Sequence, residues 1–259
     1  MQINSPTRPA RAHAYSALFY RYQREGSARS AGAVLPHLLQ ALAVRSVLDV
    51  GCGAGAWLSV LQRLGVADVL GIDGDYVDRS LLMIAPERFL PADITQPFNL
   101  GRRFDLVQCL EVAEHVSHSR SDALVDNLVR HGSLVLFSAA VPGQGGEDHI
   151  NEQRSEYWRD KFAQRGYRLF DFLRSKVLDD AAVEPWYRYN LMLFVHDSAV
   201  AALPPGVAAA RVADAAAIKD FSPWRYRLRK AFLRPLPVSV VTMLARWKHR
   251  RAIREVGPG

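Results

Sequence analysis

The sequence predicts an α/β fold in which a parallel sheet is covered by helices on both faces. Three observations carry this. Short apolar runs alternate with amphipathic stretches between residues 30 and 196. The first run, Ser46–Val50, breaks into Gly51-Cys52-Gly53-Ala54-Gly55 and resumes as a helical stretch, Trp57–Leu64. A strand, a glycine turn and a helix in that order form the start of a ligand-binding βαβ unit. Finally, 49% of the 259 residues are apolar, enough to bury the core of one domain of about 200 residues with extensions.

Taken in order, residues 1–12 are polar, hold two prolines and read as disordered. Ala14–Tyr22 reads as a short helix with Tyr15, Phe19 and Tyr22 on one face. Ser30–Ala43 reads as a second helix, with Val34, Leu35, Leu38, Leu39 and Leu42 turned inward. Strands follow at Ser46–Val50, Val69–Ile72, Arg88–Leu90, Phe104–Cys109, Ser133–Phe137, Tyr167–Leu173 and Tyr189–Val195. Helices are expected between them at Val77–Ile84, Arg120–Val129 and Ser155–Gln164, the last ending at Gly166. Ala-rich residues 200–217, with Pro204-Pro205-Gly206, read as a linker or loosely attached helix. The domains are therefore placed at 1–29 (segment or cap), 30–198 (α/β domain) and 199–259 (linker and basic amphipathic tail).

The glycine turn has two readings. Gly51, Gly53 and Gly55 fit Gly-x-Gly-x-Gly, while Gly51, Gly53 and Ala56 fit the dinucleotide pattern. Asp49 favours the first, because a carboxylate ahead of the loop would repel a pyrophosphate but suit a ligand with a cationic amine. Asp73, at the end of the second strand, is placed to accept hydrogen bonds from ribose hydroxyls. Asp93, after the third strand, can accept one from an adenine amino group.

These residues resemble a known family. Val47–Gly55 is similar to motif I of the class I S-adenosylmethionine-dependent methyltransferases, Gly71-Ile72-Asp73 to motif II and Ala92-Asp93-Ile94 to the adenine-contacting motif. Phe104–Val116 is similar to motif IV and its extension. The resemblance covers roughly residues 30–196, with the motifs in the family's order. It implies a Rossmann-like, seven-stranded, mostly parallel sheet of order 3-2-1-4-5-7-6 with strand 7 antiparallel. It also implies S-adenosyl-L-methionine as cofactor, held by Asp49, Gly51, Gly53, Gly55, Asp73, Asp93, Ile94, Leu110 and Glu111. Tyr157-x-x-x-Lys161 matches the catalytic pair of short-chain dehydrogenases, but that family's Gly-x-x-x-Gly-x-Gly loop is missing near the N-terminus.

Methyl transfer to a hydroxyl needs an acceptor held in line and a base for its proton. Candidates follow strand 4 (Glu111, Glu114, His115, His118) and strand 5 (Glu147, Asp148, His149), both at the carboxyl edge of the sheet. His149, in the glycine-rich loop after Pro142, is the first choice and His115 the second. Glu111-x-x-Glu114-His115 with a later His149 also resembles the metal site of small-RNA 2′-O-methyltransferases and some quinone-precursor O-methyltransferases. Such a set could hold Mg²⁺, Mn²⁺ or Zn²⁺. Metal-free relatives share the Glu-His pair, so no metal ligand is assigned. Asn151, Gln153, Trp158, Trp186, Tyr187 and Arg188 are candidates for a polar, aromatic acceptor pocket of the kind that suits a sugar. That segment resembles bacterial methyltransferases of glycan and secondary-metabolite pathways.

The formal net charge is +7. Lys219–Arg254 holds eleven Lys/Arg against one acid, Asp220, so this segment carries +10 and the remainder −3. Basicity interleaved with aromatics suits a helix lying on an anionic bilayer; nucleic acid, attracted by charge alone, is the weaker partner, and a solvated face packed on the core is the third reading. Two cysteines make no disulfide framework, and no secretory leader or membrane span is legible. The expectation is a cytoplasmic enzyme, at the inner face of the membrane if the tail binds lipid. It would methylate a saccharide or lipid-linked glycan. The rivals are a metal-assisted RNA 2′-O- or quinone-precursor O-methyltransferase, and a non-catalytic cofactor-binding adaptor.

Overall fold

The computed structural model describes the backbone of residues 17–256 and the side chains of residues 25–247. Seven strands form one sheet of order β3-β2-β1-β4-β5-β7-β6. They are β1 (Ser46–Val50), β2 (Asp68–Asp73), β3 (Phe89–Pro91), β4 (Leu106–Leu110), β5 (Leu134–Ser138), β6 (Tyr167–Phe170) and β7 (Met192–His196). Strand β7 runs antiparallel to both β5 and β6; the other neighbours are parallel. The expected order and the antiparallel strand are both found.

Alternation along the strands splits the core in two. Val47, Val69, Leu106 and Leu136 face α1 (Ala17–Ala41) and α2 (Ala56–Arg63), meeting Leu35, Leu38, Leu58 and Leu61. Leu48, Val107, Val135 and Phe194 face α3 (Ser121–His131) and α4 (Ser155–Ala163), meeting Leu124, Leu128, Trp158 and Phe162. Trp158 is 1% exposed, so it is a core residue and not part of an acceptor pocket. Tyr157 and Lys161 lie on α4, where Lys161 pairs with Asp122 at 2.7 Å and covers the Tyr157 ring. That pair is structural.

Several elements differ from the sequence reading. The two expected N-terminal helices are one continuous helix, α1; residues 1–16, including Ala14 and Tyr15, lie outside the described region. The helix expected at Val77–Ile84 is a single 3₁₀ turn, Arg79–Leu81, whose start is capped by the Asp78 side chain. Tyr189 starts no strand: it belongs to α6 (Pro185–Asn190), which follows the short α5 (Arg174–Val177). Pro185 at the first helical position suits that start. Residues 200–217 do not dangle. After α7 (Asp197–Val200) and α8 (Pro205–Ala208), the Val212 N–H donates to Leu169 O at 2.9 Å, which docks the segment on the edge strand β6.

The tail forms α9 (Trp224–Leu233) and α10 (Val238–Val256). Both rest on the loop after β5. A methyl group at Gly143 would meet the Lys230 carbonyl oxygen at 2.2 Å, and one at Gly145 would meet Leu233 and Val241 at 3.1 Å. The Thr242 hydroxyl accepts from the Asp148 N–H at 3.2 Å. No helix among the described residues is long and apolar enough to cross a membrane.

Candidate functional site

The glycine turn leaves β1 at the carboxyl edge of the sheet. Gly51, Gly53 and Gly55 all hold positive φ (84°, 54° and 81°), a region that L side chains rarely enter. Added methyl groups at Gly51 and Gly55 would strike Val112 at 2.4 Å and Ile84 at 2.9 Å, whereas one at Gly53 would meet nothing within 4 Å. The outer two glycines therefore let neighbouring loops close in, and the middle one opens onto space that a ligand can use.

Asp49 is 4% exposed and lies in register with Gln108 of β4. Burial pushes its carboxyl up to about 7; the nearby Gln108 amide opposes this, and the charge of Asp73 adds to it. The Gln108 amide is fully buried and makes no hydrogen bond of ordinary geometry among the described residues, so its help to Asp49 is weak. Asp73 is also buried, but it is well supplied with donors. Its Oδ2 accepts from Gly53 N–H at 2.7 Å, and its Oδ1 from Gly74 N–H at 2.7 Å and the Tyr76 hydroxyl at 2.6 Å. Asp93 is exposed; its Oδ1 accepts from the Thr95 N–H and hydroxyl, and Oδ2 makes no hydrogen bond among the described residues. Ile94 packs half-buried against the α3 side of the core.

Beyond Leu110, Glu111 takes φ 56°, one of two positive-φ non-glycine residues among the described ones; the other is Asp148. The two flank the same site, a pattern typical of strained functional loops. The Glu111 N–H donates to Ser138 O at 2.9 Å, which fixes the turn between β4 and β5. Its carboxylate accepts from Gln144 Nε2 at 3.0 Å and Asn190 Nδ2 at 3.4 Å, and Asn190 also donates to Gln144 Oε1 at 2.8 Å. Burial pushes the Glu111 carboxyl up against these hydrogen bonds.

His149 sits beside the loop that β5 delivers. Its Nδ1 lies 2.9 Å from Glu152 Oε1, and the same carboxylate accepts from Gly145 N–H at 2.7 Å and, through Oε2, from Gly143 N–H at 2.8 Å. One residue thus pins the loop and orients the imidazole. A carboxylate can only accept, so Nδ1–H is the donor of this contact, and in a neutral ring held this way the lone pair is on Nε2. The ring also needs Gly146, because a methyl group there would meet Nε2 at 2.1 Å.

His115 lies edge-on to His149, ring centroids 4.9 Å apart, with Nδ1 3.2 Å from Asp148 O. Desolvation, then the neighbouring His149, hold its imidazole down to about 4; the residue keeps some exposed surface, which tempers the first cause, and at pH 7 the ring is neutral. Glu114 is 1% exposed, its Oε2 has no hydrogen-bond partner among the described residues, and burial followed by the charge of Glu111 pushes its carboxyl well up. Ligand atoms of Glu114, His115 and His149 all lie within 4.8 Å of one another. Glu111 is not in this group. A divalent cation there would offset the burial of the Glu114 charge.

The expected acceptor-pocket residues mostly serve structure. Asn151 is buried and donates to Ser121 Oγ and Ala113 O, Gln153 bonds Asn151 Oδ1, and Arg188 donates to Val183 O. Tyr187 is buried against Trp57, with its hydroxyl 3.0 Å from Ser27 Oγ. Sequence reasoning missed Glu152, Gln144 and Asn190. Only Glu152 had a local signal, a carboxylate three residues after a candidate base.

A family model described as a methyltransferase domain matches residues 20–172, more than half of the chain. The chain is 29% identical over 189 residues to the tRNA U34 carboxymethyltransferase of Marinobacter nauticus, covering 61% of this chain and 54% of that protein. It is 32% identical over 131 residues to the ubiquinone biosynthesis O-methyltransferase of Methylococcus capsulatus, covering 44% and 54%. The chain thus spans about half the length of the curated relatives it matches. In fold it is similar to the sugar N-methyltransferase KedS8 from Streptoalloteichus sp., with TM-score 0.55 and 19% identity over 76% of this chain and 98% of that one. With the sheet order, the open glycine turn and the two buried carboxylates beside it, these matches place the chain in one family: it belongs to the class I S-adenosylmethionine-dependent methyltransferases.

Proposed function

We propose that the protein O-methylates a saccharide or lipid-linked glycan, with His149 as general base. The observation that carries this is the Glu152–His149 pair, held on a strained loop beside Glu111 at the carboxyl edge of the sheet. S-adenosylmethionine, when bound, supplies an already activated methyl group. Asp49 would hold its amine, the Gly51–Gly55 backbone would lie along it, Asp73 would take the ribose, and Asp93 with Ile94 the adenine. Leu110 and Glu111 would wall the site. Nε2 of His149 accepts the acceptor's hydroxyl proton as the oxygen gains the methyl group, and Glu152 stabilises the imidazolium that forms. The segment 1–29, the domain 30–198 and the tail 199–259 would act as cap, catalyst and anchor. Incubating the protein with labelled donor and a panel of sugars and glycolipids tests the acceptor class. Label in a saccharide hydroxyl supports it; label only in RNA or a quinone precursor removes it.

The convergence of Glu114, His115 and His149 favours a second reading, in which a divalent cation takes part and the acceptor is an RNA ribose or a phenol. Treatment with a chelator decides between them. Metal-free base catalysis predicts unchanged turnover; loss restored by Mn²⁺ assigns His149 to a metal instead.

The tail is read as a bilayer contact. Of the eleven large apolar residues exposed among the described ones, eight lie between Trp224 and Trp247. Exposed Arg225 and Arg229 lie among them, the combination expected of an interfacial helix. The full chain should float with anionic vesicles, and a chain ending near residue 200 should not; equal flotation would remove the anchor role.

A further inference from the structure

Between α9 and the domain lies a cavity of about 340 Å³, within the range of small-ligand sites. Six cations line it: Arg154, Arg174, Lys219, Arg227, Lys230 and Arg234. The acids in its wall are Glu156 and Asp220, so cations outnumber carboxylates six to two. Asp220 accepts from Lys230 Nζ at 2.7 Å and from Ser222, and Glu156 accepts from the Ile218 N–H at 3.0 Å. Arg174 is held by Asp171 at 2.6 Å and by Tyr189 O at 2.9 Å. Arg154, Lys219, Arg227 and Arg234 are left with no carboxylate among the described residues. Like charges gathered around one concavity repel each other until a multivalent anion enters. Arginine forks bind phosphoryl oxygens in pairs.

The cavity adjoins the site proposed for chemistry. Asn190 lines it and donates to both Glu111 and Gln144, and Val141 and Pro142 in its wall begin the loop that leads to His149. On α9, Arg227, Lys230 and Arg234 border the cavity, while Trp224, Leu228 and Phe232, spaced four residues apart, form an exposed ridge. One helix therefore presents cations to the cavity and apolar side chains to the surroundings.

We propose that this basic cavity binds the phosphate or pyrophosphate of a phosphorylated saccharide acceptor and so selects the acceptor by its anion. The proposal rests on the saccharide reading above. The shared chemistry has two sources, a soluble sugar phosphate or a phosphate carried by a lipid.

The test is calorimetric titration of the full chain with inorganic pyrophosphate. Arg227→Glu with Arg234→Glu should weaken binding about tenfold or more, the paired Lys substitutions should keep it within about threefold, and Arg63→Glu, on α2, should change nothing. S-adenosylhomocysteine affinity should be the same in all of them, which shows that the fold is intact. Displacement of pyrophosphate by a sugar 1-phosphate identifies a soluble acceptor; displacement only by vesicles carrying phosphatidic acid identifies a lipid-linked one. No binding by the wild type, no effect of the Glu pair, or displacement only by an RNA oligonucleotide overturns the proposal. If pyrophosphate binds as described but no saccharide accepts label, the saccharide reading fails while the anion site stands.

Discussion

Asp49→Asn should yield a protein that is more stable than the wild type above neutral pH and a much weaker binder of its methyl donor. The sign follows from the raised carboxyl. Asp49 titrates near 3.8 when unfolded and near about 7 in the fold, so the fold disfavours its ionised form. Below the unfolded value the residue has no effect on stability. As the pH rises through that window stability is lost, and above about 7 the loss is complete. The difference between 3.8 and about 7 corresponds to about 4 kcal/mol, which the isosteric Asn does not lose. Thermal unfolding at about pH 8 should show the variant melting several degrees higher, and at about pH 4 the two should coincide.

Binding should move the other way. If Asp49 holds the donor's amine as proposed, it must be ionised to do so, and an α-amino group keeps its proton up to about pH 8. Affinity for S-adenosylhomocysteine should therefore rise to about pH 7, stay highest to about pH 8, and fall on either side. In Asp49→Asn the acid limb disappears and affinity drops by roughly 100-fold. A variant that lost stability and kept its affinity would show Asp49 to be a structural residue.

The second large effect concerns the base. His149→Ala should lower turnover by about 10²–10⁴ while leaving cofactor affinity nearly unchanged. Glu152→Gln separates orientation from charge. The amide retains one oxygen for three donors, His149 Nδ1 and the N–H groups of Gly143 and Gly145, and its NH₂ favours the opposite imidazole tautomer. Turnover should fall by about tenfold to 100-fold with KM for the acceptor also disturbed, because the loop loses an anchor. If His149→Ala turns over like the wild type, His115 is the remaining base; its neutral ring stands only 4.9 Å away, centroid to centroid.

The parts of the site that the sequence showed are those written locally. Asp49, the three glycines and Asp73 fall within 25 residues, and each is marked by a strand ending where glycine or acid begins. The Glu111–Gln144–Asn190 network was invisible because its members are 33 and 46 residues apart and meet only through the β4–β5–β7 order. Glu152 was visible but unassigned, since its work is to hold Gly143 and Gly145, a contact that no periodicity encodes. The helix expected at Val77–Ile84 failed because Asp78 can bond the Ser80 N–H and hydroxyl, which closes a single turn in place of a longer helix. Tyr189 read as the start of a strand, yet Pro185 starts a helix that runs to Asn190, and Tyr187, a pocket candidate, is buried against Trp57. The tail's two faces were beyond the reach of charge counting. Its basic residues divide between the cavity and solvent, a division set by how α9 rests on Gly143.

The most direct test is a calorimetric titration of the full chain with S-adenosylhomocysteine, for the wild type, Asp49→Asn and Asp73→Asn. Saturable binding in the wild type, weakened by roughly 100-fold in either variant with both still folded, is the predicted result. A wild type that takes up no ligand, or variants that bind as it does, would contradict the assignment of the glycine turn and its two buried carboxylates to the methyl donor.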